Sequence, residues 1–326
     1  MLGTDHSTKI GEGAFHDVEV LVTGGGGFIG SHLVDRLAGH GARVRVLDDF
    51  STGWRANLEG LDVEIIESSI LDEKALSQAV HNCRYVLHHA AFVSVAASHE
   101  QPDACHRINV EGTARVLEAA RAAGVQRLVN ASSAAVYGEQ GSDPVGEGAE
   151  LQPASEYARS KLAAEQLVRE RHGDLDTISL RYFNVFGPRQ RSDSNYAAVI
   201  PAFASALHSN QPLRLDGDGG QTRDFLSCRS VVDAVLACCL HDEALGGIAC
   251  NIGSGRPQSI LDVLETIANL LGVKPTIKRG PARPGDIRHS CADISLATSL
   301  LGFAPRDAFE TDLQALLAWM AQSSPC

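Results

Sequence analysis

Five residues of strand character, Val18-Glu19-Val20-Leu21-Val22, run straight into Thr23-Gly24-Gly25-Gly26-Gly27-Phe28-Ile29-Gly30, and apolar residues then follow at helical spacing: Ile29, Leu33, Val34 and Leu37. A strand, a glycine turn and an amphipathic helix in direct succession open a parallel sheet, because the helix must carry the chain back over one face before a second strand can pair alongside. Gly24, Gly27 and Gly30 keep a three-residue spacing. Lacking side chains, they let the backbone turn sharply and let an anion approach the positive end of the helix. The turn, with Phe28 and Ile29, therefore suits a pyrophosphate.

The alternation continues. Apolar runs at 42–47, 63–66, 85–88, 127–131 and 177–181 are separated by helical stretches near 73–80, 102–123 and 157–172. This rhythm predicts an α/β fold, a Rossmann-type doubly wound parallel sheet. After Arg181, Pro and Gly become frequent and the elements shorten, as expected of a smaller α/β substrate-binding lobe over the strand ends. A helix at 230–240 and a strand at 248–252 still look like the sheet domain. The expected division is a cofactor-binding domain at 17–182 with a contribution from about 230–252, and a discontinuous second lobe within 183–326. Residues 1–16, polar and Gly-rich, are expected to form a disordered extension.

The second strand ends in Asp48-Asp49. A carboxylate there can accept both ribose hydroxyls of a dinucleotide and repels the extra phosphate of NADP. No arginine follows Asp48 to offset that repulsion, so the expected cofactor is NAD.

Tyr157 and Lys161 lie one turn apart at the start of a predicted helix, so their polar ends share one face. A phenol titrates near 10, and bringing it to neutrality as a base takes about 4 kcal/mol. A neighbouring ammonium and the positive ring of an oxidised nicotinamide can supply much of that by stabilising the phenolate. Ser133, closing the strand Leu128-Val129-Asn130-Ala131-Ser132-Ser133, is placed to hold a sugar or alcohol oxygen and pass on its proton. As an isolated pair, Tyr157 and Lys161 would read as a helix-surface contact; their order after a dinucleotide turn and a strand ending in Ser133 gives them a catalytic reading.

A net charge of −12 argues against a nucleic-acid partner. Eight cysteines without a Cys-x-x-Cys pair, with Cys238-Cys239 inside an apolar helical run, predict reduced core thiols. The thirteen histidines have no metal-ligand spacing, and no metal is expected. The first residues lack an apolar stretch of signal or membrane-span type, so no membrane association and a cytoplasmic location are expected.

Further motifs follow in order: Leu47-Asp48-Asp49-Phe50-Ser51-Thr52-Gly53, His88-His89-Ala90-Ala91, Asn109-Val110-Glu111-Gly112-Thr113, Ser132-Ser133-Ala134-Ala135-Val136-Tyr137-Gly138, Arg181-Tyr182-Phe183-Asn184-Val185-Phe186-Gly187-Pro188, Gly217-Asp218-Gly219 with Arg223-Asp224-Phe225, and Arg283-Pro284-Gly285-Asp286. Together with Tyr157 and Lys161 this series resembles the extended short-chain dehydrogenase/reductase superfamily, and within it the nucleotide-sugar epimerases and dehydratases, over about residues 18–303. The resemblance implies a proton-handling set of Ser133, Tyr157 and Lys161. It implies cofactor contacts from Gly24, Gly27, Phe28, Ile29, Gly30, Asp48, Asp49, Ser51, Thr52, Gly53, Ser69, Ile70, His88, Ala90, Ala91, Asn109, Tyr157, Lys161 and Tyr182. For a UDP-sugar it implies Ser94, Ser133, Asn184, Val199, Arg223, Arg283, Asp286 and Ser290, the arginines gripping the diphosphate. A homodimer packed through the helices at 109–123 and 157–172 is implied as well.

Related dehydratases and decarboxylases usually carry an acid just after the strand-end Ser or Thr. This chain has Ala134 and Ala135 there, which favours 4-epimerisation: Tyr157 takes the proton of the sugar's 4-hydroxyl as hydride leaves carbon 4, and the 4-keto sugar turns over and is reduced on its other face. The segments Tyr196-Ala197-Ala198-Val199-Ile200-Pro201 and Arg288-His289-Ser290-Cys291-Ala292-Asp293 are most similar to epimerases acting on UDP-N-acetylglucosamine or its uronic acid. Ser290 stands where strict UDP-glucose epimerases carry a bulky aromatic, and a serine leaves room for an N-acetyl group. Dehydratase, decarboxylase and ketoreductase chemistry are the alternatives within the superfamily, and a catalytically silent NAD(P)-sensing regulator is the alternative outside enzymes. The chain departs from many relatives at Ser68-Ser69-Ile70, where an acid often holds the adenine, at Leu226-Ser227-Cys228-Arg229-Ser230, and at Val93, where some UDP-galactose epimerases have a lysine.

Overall fold

The computed structural model describes residues 10–11, 13–191, 198–282 and 287–323. Its strands are β1 (Glu19–Thr23), β2 (Arg43–Asp48), β3 (Glu64–Glu67), β4 (Tyr85–His88), β5 (Arg127–Ser133), β6 (Asp176–Tyr182), β7 (Asn184–Phe186), β8 (Leu213–Asp216), β9 (Thr222–Ser227), β10 (Ala249–Ile252), β11 (Pro257–Ser259) and β12 (Ile277–Gly280). Seven of them form one parallel sheet in the order β10-β6-β5-β4-β1-β2-β3. β4 is buried along its whole length and β1 along all but its first residue. Such strands need cover on both faces, which accounts for the unbroken apolar runs in the sequence.

The cover comes from helices. On one face α1 (Phe28–Gly39) buries Leu33, Val34 and Leu37, one helical stripe, in a core shared with β1 and β10. On the other, α2 (Glu73–Val80) starts at Asp72, whose carboxylate accepts from the Lys74 and Ala75 N–H groups. Short helices α3 (Val95–Glu100) and α4 (Pro102–His106) follow, then α5 (Thr113–Ala122) and α6 (Glu156–Glu170). The sequence suggests one regular helix over 102–123, but a wide π turn at Arg107–Gly112 separates α4 from α5. Ser155 caps α6 by accepting from the Ala158 N–H at 3.1 Å.

The second lobe is built from α7 (Val199–His208), a three-stranded sheet β11-β9-β7, the pair β12-β8, and α9 (Ile260–Leu271), with α8 (Cys228–Leu240) lying back against α1. Its own core joins Phe203, Leu207, Leu213, Leu215, Leu264 and Ile267 with Leu313 and Leu316 of α11 (Phe309–Ser323). Between these, α10 (Ser295–Leu301) returns to the large sheet, where Leu301 and Phe303 are buried with β10. Buried Asp233 of α8 ties α1 to the C-terminal segment by accepting from Arg36 at 3.3 Å and Arg306 at 3.2 Å.

The expectation of disorder through residue 16 needs correcting where the chain is described. Residues 13–17 form a turn, and Phe15 is fully buried, edge-on to Tyr85. A single aromatic among polar residues gave no periodic signal, yet it closes the edge of the core. Residues 1–9 lie outside the described residues. The seven described cysteines are unpaired and buried, and no helix among the described residues is long and apolar enough to cross a membrane.

Candidate active site

The chain order reverses between β1 and β4, which puts a crevice at their C-terminal ends. The glycine turn enters it. A Cβ on Gly24, whose φ is +70°, would meet the backbone of His89 and Ala90 at 2.6–2.8 Å, and one on Gly30 would stand 2.1 Å from the Gly24 carbonyl oxygen. Gly27 caps α1 without any side-chain bond, so N–H groups at that end stay open beside Phe28 and Ile29. Asp48 is buried at the end of β2, each carboxylate oxygen accepting one N–H at 2.8 Å, from Gly26 and Phe50, and each retaining a further lone pair. Burial pushes its carboxyl up against the pull of those two bonds. Asp49 turns aside to accept from the Ser51 N–H and hydroxyl, Thr52 is exposed, and Gly53 packs against the Gly26 backbone. An uncapped helix start beside a side-chain-free turn, with a carboxylate one strand away, fits NAD.

Two expected cofactor contacts, His88 and Asn109, are hydrogen-bonded to protein groups. His88 is buried between the Thr23 hydroxyl, 2.8 Å from Nδ1, and the Thr113 hydroxyl, 3.0 Å from Nε2. Thr113 donates to the Asn109 carbonyl at 2.6 Å, so it accepts from Nε2–H, and Nδ1 accepts from Thr23. Thr23 Oγ1 in turn receives the His89 and Ala90 N–H groups, both at 3.2 Å. Burial pushes His88 down to about 3, which keeps the ring neutral. Asn109, on the π turn, brackets Phe92, accepting from its N–H at 2.7 Å and donating to its carbonyl at 3.0 Å, and it also donates to Ser160 Oγ at 2.9 Å. Ser69 accepts from Leu71 N–H, Ile70 is buried against Gly112, and Ala91 lies half-buried after Ala90.

The helix face read from the sequence meets the end of β5. Lys161 is buried and donates to the Ala131 carbonyl at 2.8 Å, with its ammonium 6.0 Å from the centre of the Tyr157 ring. Burial pushes that ammonium down to about 8. Ser133 faces the Tyr157 phenol; burial raises the phenol's proton affinity and the serine hydroxyl lowers it. Tyr157 is held at its backbone too, its N–H donating to buried Ser98 Oγ at 3.1 Å and its carbonyl accepting from Ser160 Oγ at 2.8 Å. Tyr182 stacks on His89, with its hydroxyl 2.9 Å from Nε2. Ser133, Tyr157 and Lys161 thus converge where the cofactor crevice ends.

On the substrate side, Ser94 caps α3 by accepting from Ala97 N–H at 3.0 Å. Asn184 donates to the Asp224 carbonyl at 3.3 Å, Arg223 lies on β9, Val199 opens α7, and Ser290 donates its N–H to the Thr222 carbonyl at 3.2 Å. Arg283, Asp286, Tyr196 and Ala197 lie outside the described residues. Fully buried Asp224, beside Arg223, accepts from the N–H groups of Ser254, Gly255 and Ala292 and so joins β9 to both flanking segments. The sequence reading named Asp224 only within the Arg223-Asp224-Phe225 motif and gave it no role, and it did not single out Glu165, which follows Lys161 by one turn on the same face; that spacing was the available signal.

A family model described as the NAD dependent epimerase/dehydratase family matches residues 20–253. Over 299 residues, 89% of this chain and 95% of the relative, the sequence is 36% identical to a UDP-glucose 4-epimerase of Mycolicibacterium smegmatis. It is 32% identical over 318 residues, 93% and 97% of the two chains, to a UDP-N-acetyl-alpha-D-glucosaminuronate decarboxylase of Bacillus cytotoxicus. Among solved structures, a UDP-N-acetylglucosamine 4-epimerase from Methanobrevibacter ruminantium, in complex with UDP-N-acetylmuramic acid, superposes with a TM-score of 0.90 at 35% identity, over 95% of this chain and 100% of that one.

Proposed function

Because the chain belongs to the NAD-dependent epimerase/dehydratase family, we propose that it is a UDP-sugar 4-epimerase, interconverting gluco and galacto forms of UDP-N-acetylglucosamine or UDP-glucose. The observation that carries this reading is the combination of Ser133, Tyr157 and Lys161 with two alanines, Ala134 and Ala135, in the turn that follows. Related dehydratases and decarboxylases usually carry an acid at that turn to move a proton at carbon 5 or steady the intermediate, and alanine offers none. The buried carboxylate behind the site, Glu165, is held by Arg181.

In this reading Tyr157 accepts the 4-hydroxyl proton, Ser133 holds the same oxygen, and Lys161 favours the phenolate through its charge. NAD, if held by the glycine turn and Asp48, would supply the hydride acceptor and donor for carbon 4, and its positive charge in the oxidised form would favour the Tyr157 phenolate. The 4-keto sugar swings about its diphosphate link before reduction on the opposite face, while Arg223, Arg283 and Asp286 keep the nucleotide anchored and Asn184, Val199 and Ser94 line the path. Ser290 leaves room for a 2-acetamido group. A second copy of the chain packing through α5 and α6 belongs to the same reading, and light scattering of the purified protein tests it.

The experiment is separate incubation with UDP-N-acetylglucosamine, UDP-glucose and UDP-glucuronic acid, without reductant, followed by proton NMR. The matching galacto sugar is expected, with NAD retained through purification. The decarboxylase relative supports a second reading: a pentose product from UDP-glucuronic acid, or a 4-keto-6-deoxy sugar, would show that another side chain supplies the acid missing at Ala134 and Ala135.

A further inference from the structure

Helix α6 presents Tyr157, Lys161 and Glu165 at successive turns of one face. Three consecutive residues of β5 meet them. The Ala131 carbonyl takes the Lys161 ammonium at 2.8 Å, Ser132 Oγ donates to Glu165 Oε1 at 2.5 Å, and Ser133 faces the Tyr157 phenol. Behind this ladder, Arg181 of β6 grips both oxygens of Glu165, Nε to Oε1 at 3.0 Å and Nη2 to Oε2 at 2.7 Å. The same guanidinium donates to the Tyr137 hydroxyl at 2.8 Å, which donates to Asn251 Oδ1 at 2.7 Å. Ser132, Glu165, Arg181 and Asn251 are all buried.

We propose that Glu165 is a positioning residue for the proton transfer: its carboxylate, shared by Ser132 and Arg181, fixes the catalytic face of α6 against the end of β5. The inference rests on the reading of Tyr157 and Lys161 as the proton-handling pair. Both oxygens of the buried Glu165 carboxylate are taken by protein donors, so it acts through its neighbours. Around Lys161 stand Cys105 from α4, His88 and His89 at the end of β4, the Ala131 carbonyl, and Tyr157 and Glu165 of its own helix. Burial keeps both imidazoles neutral, each pushed down to about 3. Without the carboxylate, Arg181 would be a buried cation stripped of its partner, and Lys161, which Cys105 and then Glu165 help to keep protonated against the effect of burial, would lose its proton more readily.

The test is the kinetics of Glu165→Gln, Glu165→Asp and Ser132→Ala from pH 6 to 9.5, on whichever of UDP-N-acetylglucosamine, UDP-glucose and UDP-glucuronic acid is turned over fastest. Melting temperature and bound NAD are measured on the same samples, and Lys161→Met is run alongside. Glu165→Gln is expected to lower kcat by about tenfold to a hundredfold, to leave KM nearly unchanged, and to move the alkaline limb of kcat/KM to lower pH. Glu165→Asp should restore the limb. Ser132→Ala, which keeps the charge, should lower kcat by a few-fold with the limb in place, and it carries the test if Glu165→Gln does not fold. Lowered melting temperature with wild-type kcat and an unmoved limb in the folded variants would overturn the proposal. If Lys161→Met still turns over, the catalytic reading itself fails; if Lys161→Met is dead while the Glu165 variants are normal, only this inference does.

Discussion

Gly30→Ala tests the seat of the cofactor. The added methyl would lie 2.1 Å from the Gly24 carbonyl oxygen and 2.8 Å from its carbonyl carbon. Both are backbone atoms, so no side-chain rotation relieves the clash, and turn and helix must part by about an ångström. That movement acts on the N–H groups opening α1, which the Gly27 cap leaves without a side-chain acceptor. One N–H donating to a phosphate oxygen contributes about 1.5–3 kcal/mol, so losing one bond should weaken NAD about tenfold to a hundredfold. Fold stability responds differently: overpacking costs about 1–3 kcal/mol, while alanine regains up to about 1 kcal/mol over glycine within a helix. Gly39→Ala serves as the control, since a Cβ at the far end of the same helix meets nothing within 4 Å. NAD released on denaturation and the Kd of re-added NAD give the readout, with melting of the NAD-free protein measured beside them. A Gly30→Ala protein that retains and binds NAD as the wild type does would refute the assignment of this turn to the pyrophosphate.

Three further outcomes are expected. Asp233→Ala removes the buried acceptor of two partly exposed guanidiniums, Arg36 and Arg306, and urea unfolding should register a loss of about 1–3 kcal/mol with kcat of the folded protein unchanged; an unaltered midpoint would remove the residue's role in tying α1 to the C-terminal segment. Asp224→Ala leaves the N–H groups of Ser254, Gly255 and Ala292 without their acceptor, at about 1–3 kcal/mol for each left unsatisfied, and KM for the nucleotide sugar should rise while NAD is retained; an unchanged KM argues against an anchoring role. His88 titrates at about 3 when folded and near ~6.5 when unfolded, so between those values only the unfolded chain takes up the proton. Stability from this group is whole above the unfolded value and falls with falling pH, by about 1.4 kcal/mol per pH unit inside the window. His89, pushed down by burial in the same way, adds to the loss in the same window, so urea midpoints at pH 7, 6 and 5 should show about twice that slope, and His88→Gln should remove about half of it.

The large sheet was readable because its strands are buried on both faces. Val20-Leu21-Val22 and Tyr85-Val86-Leu87 carry no polar alternation that could confuse the period. Ser133, Tyr157 and Lys161 were readable because one turn of helix and one strand end fix their meeting. What stayed hidden depends on tertiary partners. Glu165 and Arg181 are sixteen residues apart and become a pair only once β6 lies beside β5 and under α6. The capping of Tyr157 by Ser98 joins two elements with no shared pattern. Asn109 and His88 carry the right residue types, yet their polar atoms face protein groups, and only the hydrogen-bond partners reveal it.

The wide turn at Arg107–Gly112 makes the count of residues between α4 and α5 part of the chemistry. An α-helix rotates by about 100° for each residue, and a π turn takes up an additional residue without breaking the helical path. Deleting one residue there would let 102–122 close into an ordinary helix of nearly the same helical content. The price is aim: Asn109 would swing away from Phe92 and Ser160, and the neighbour that holds the Tyr157 carbonyl would lose its own support. A redesign that trades this segment for a straight rod of similar length would pass every test of folding by circular dichroism and still arrive at the crevice out of phase.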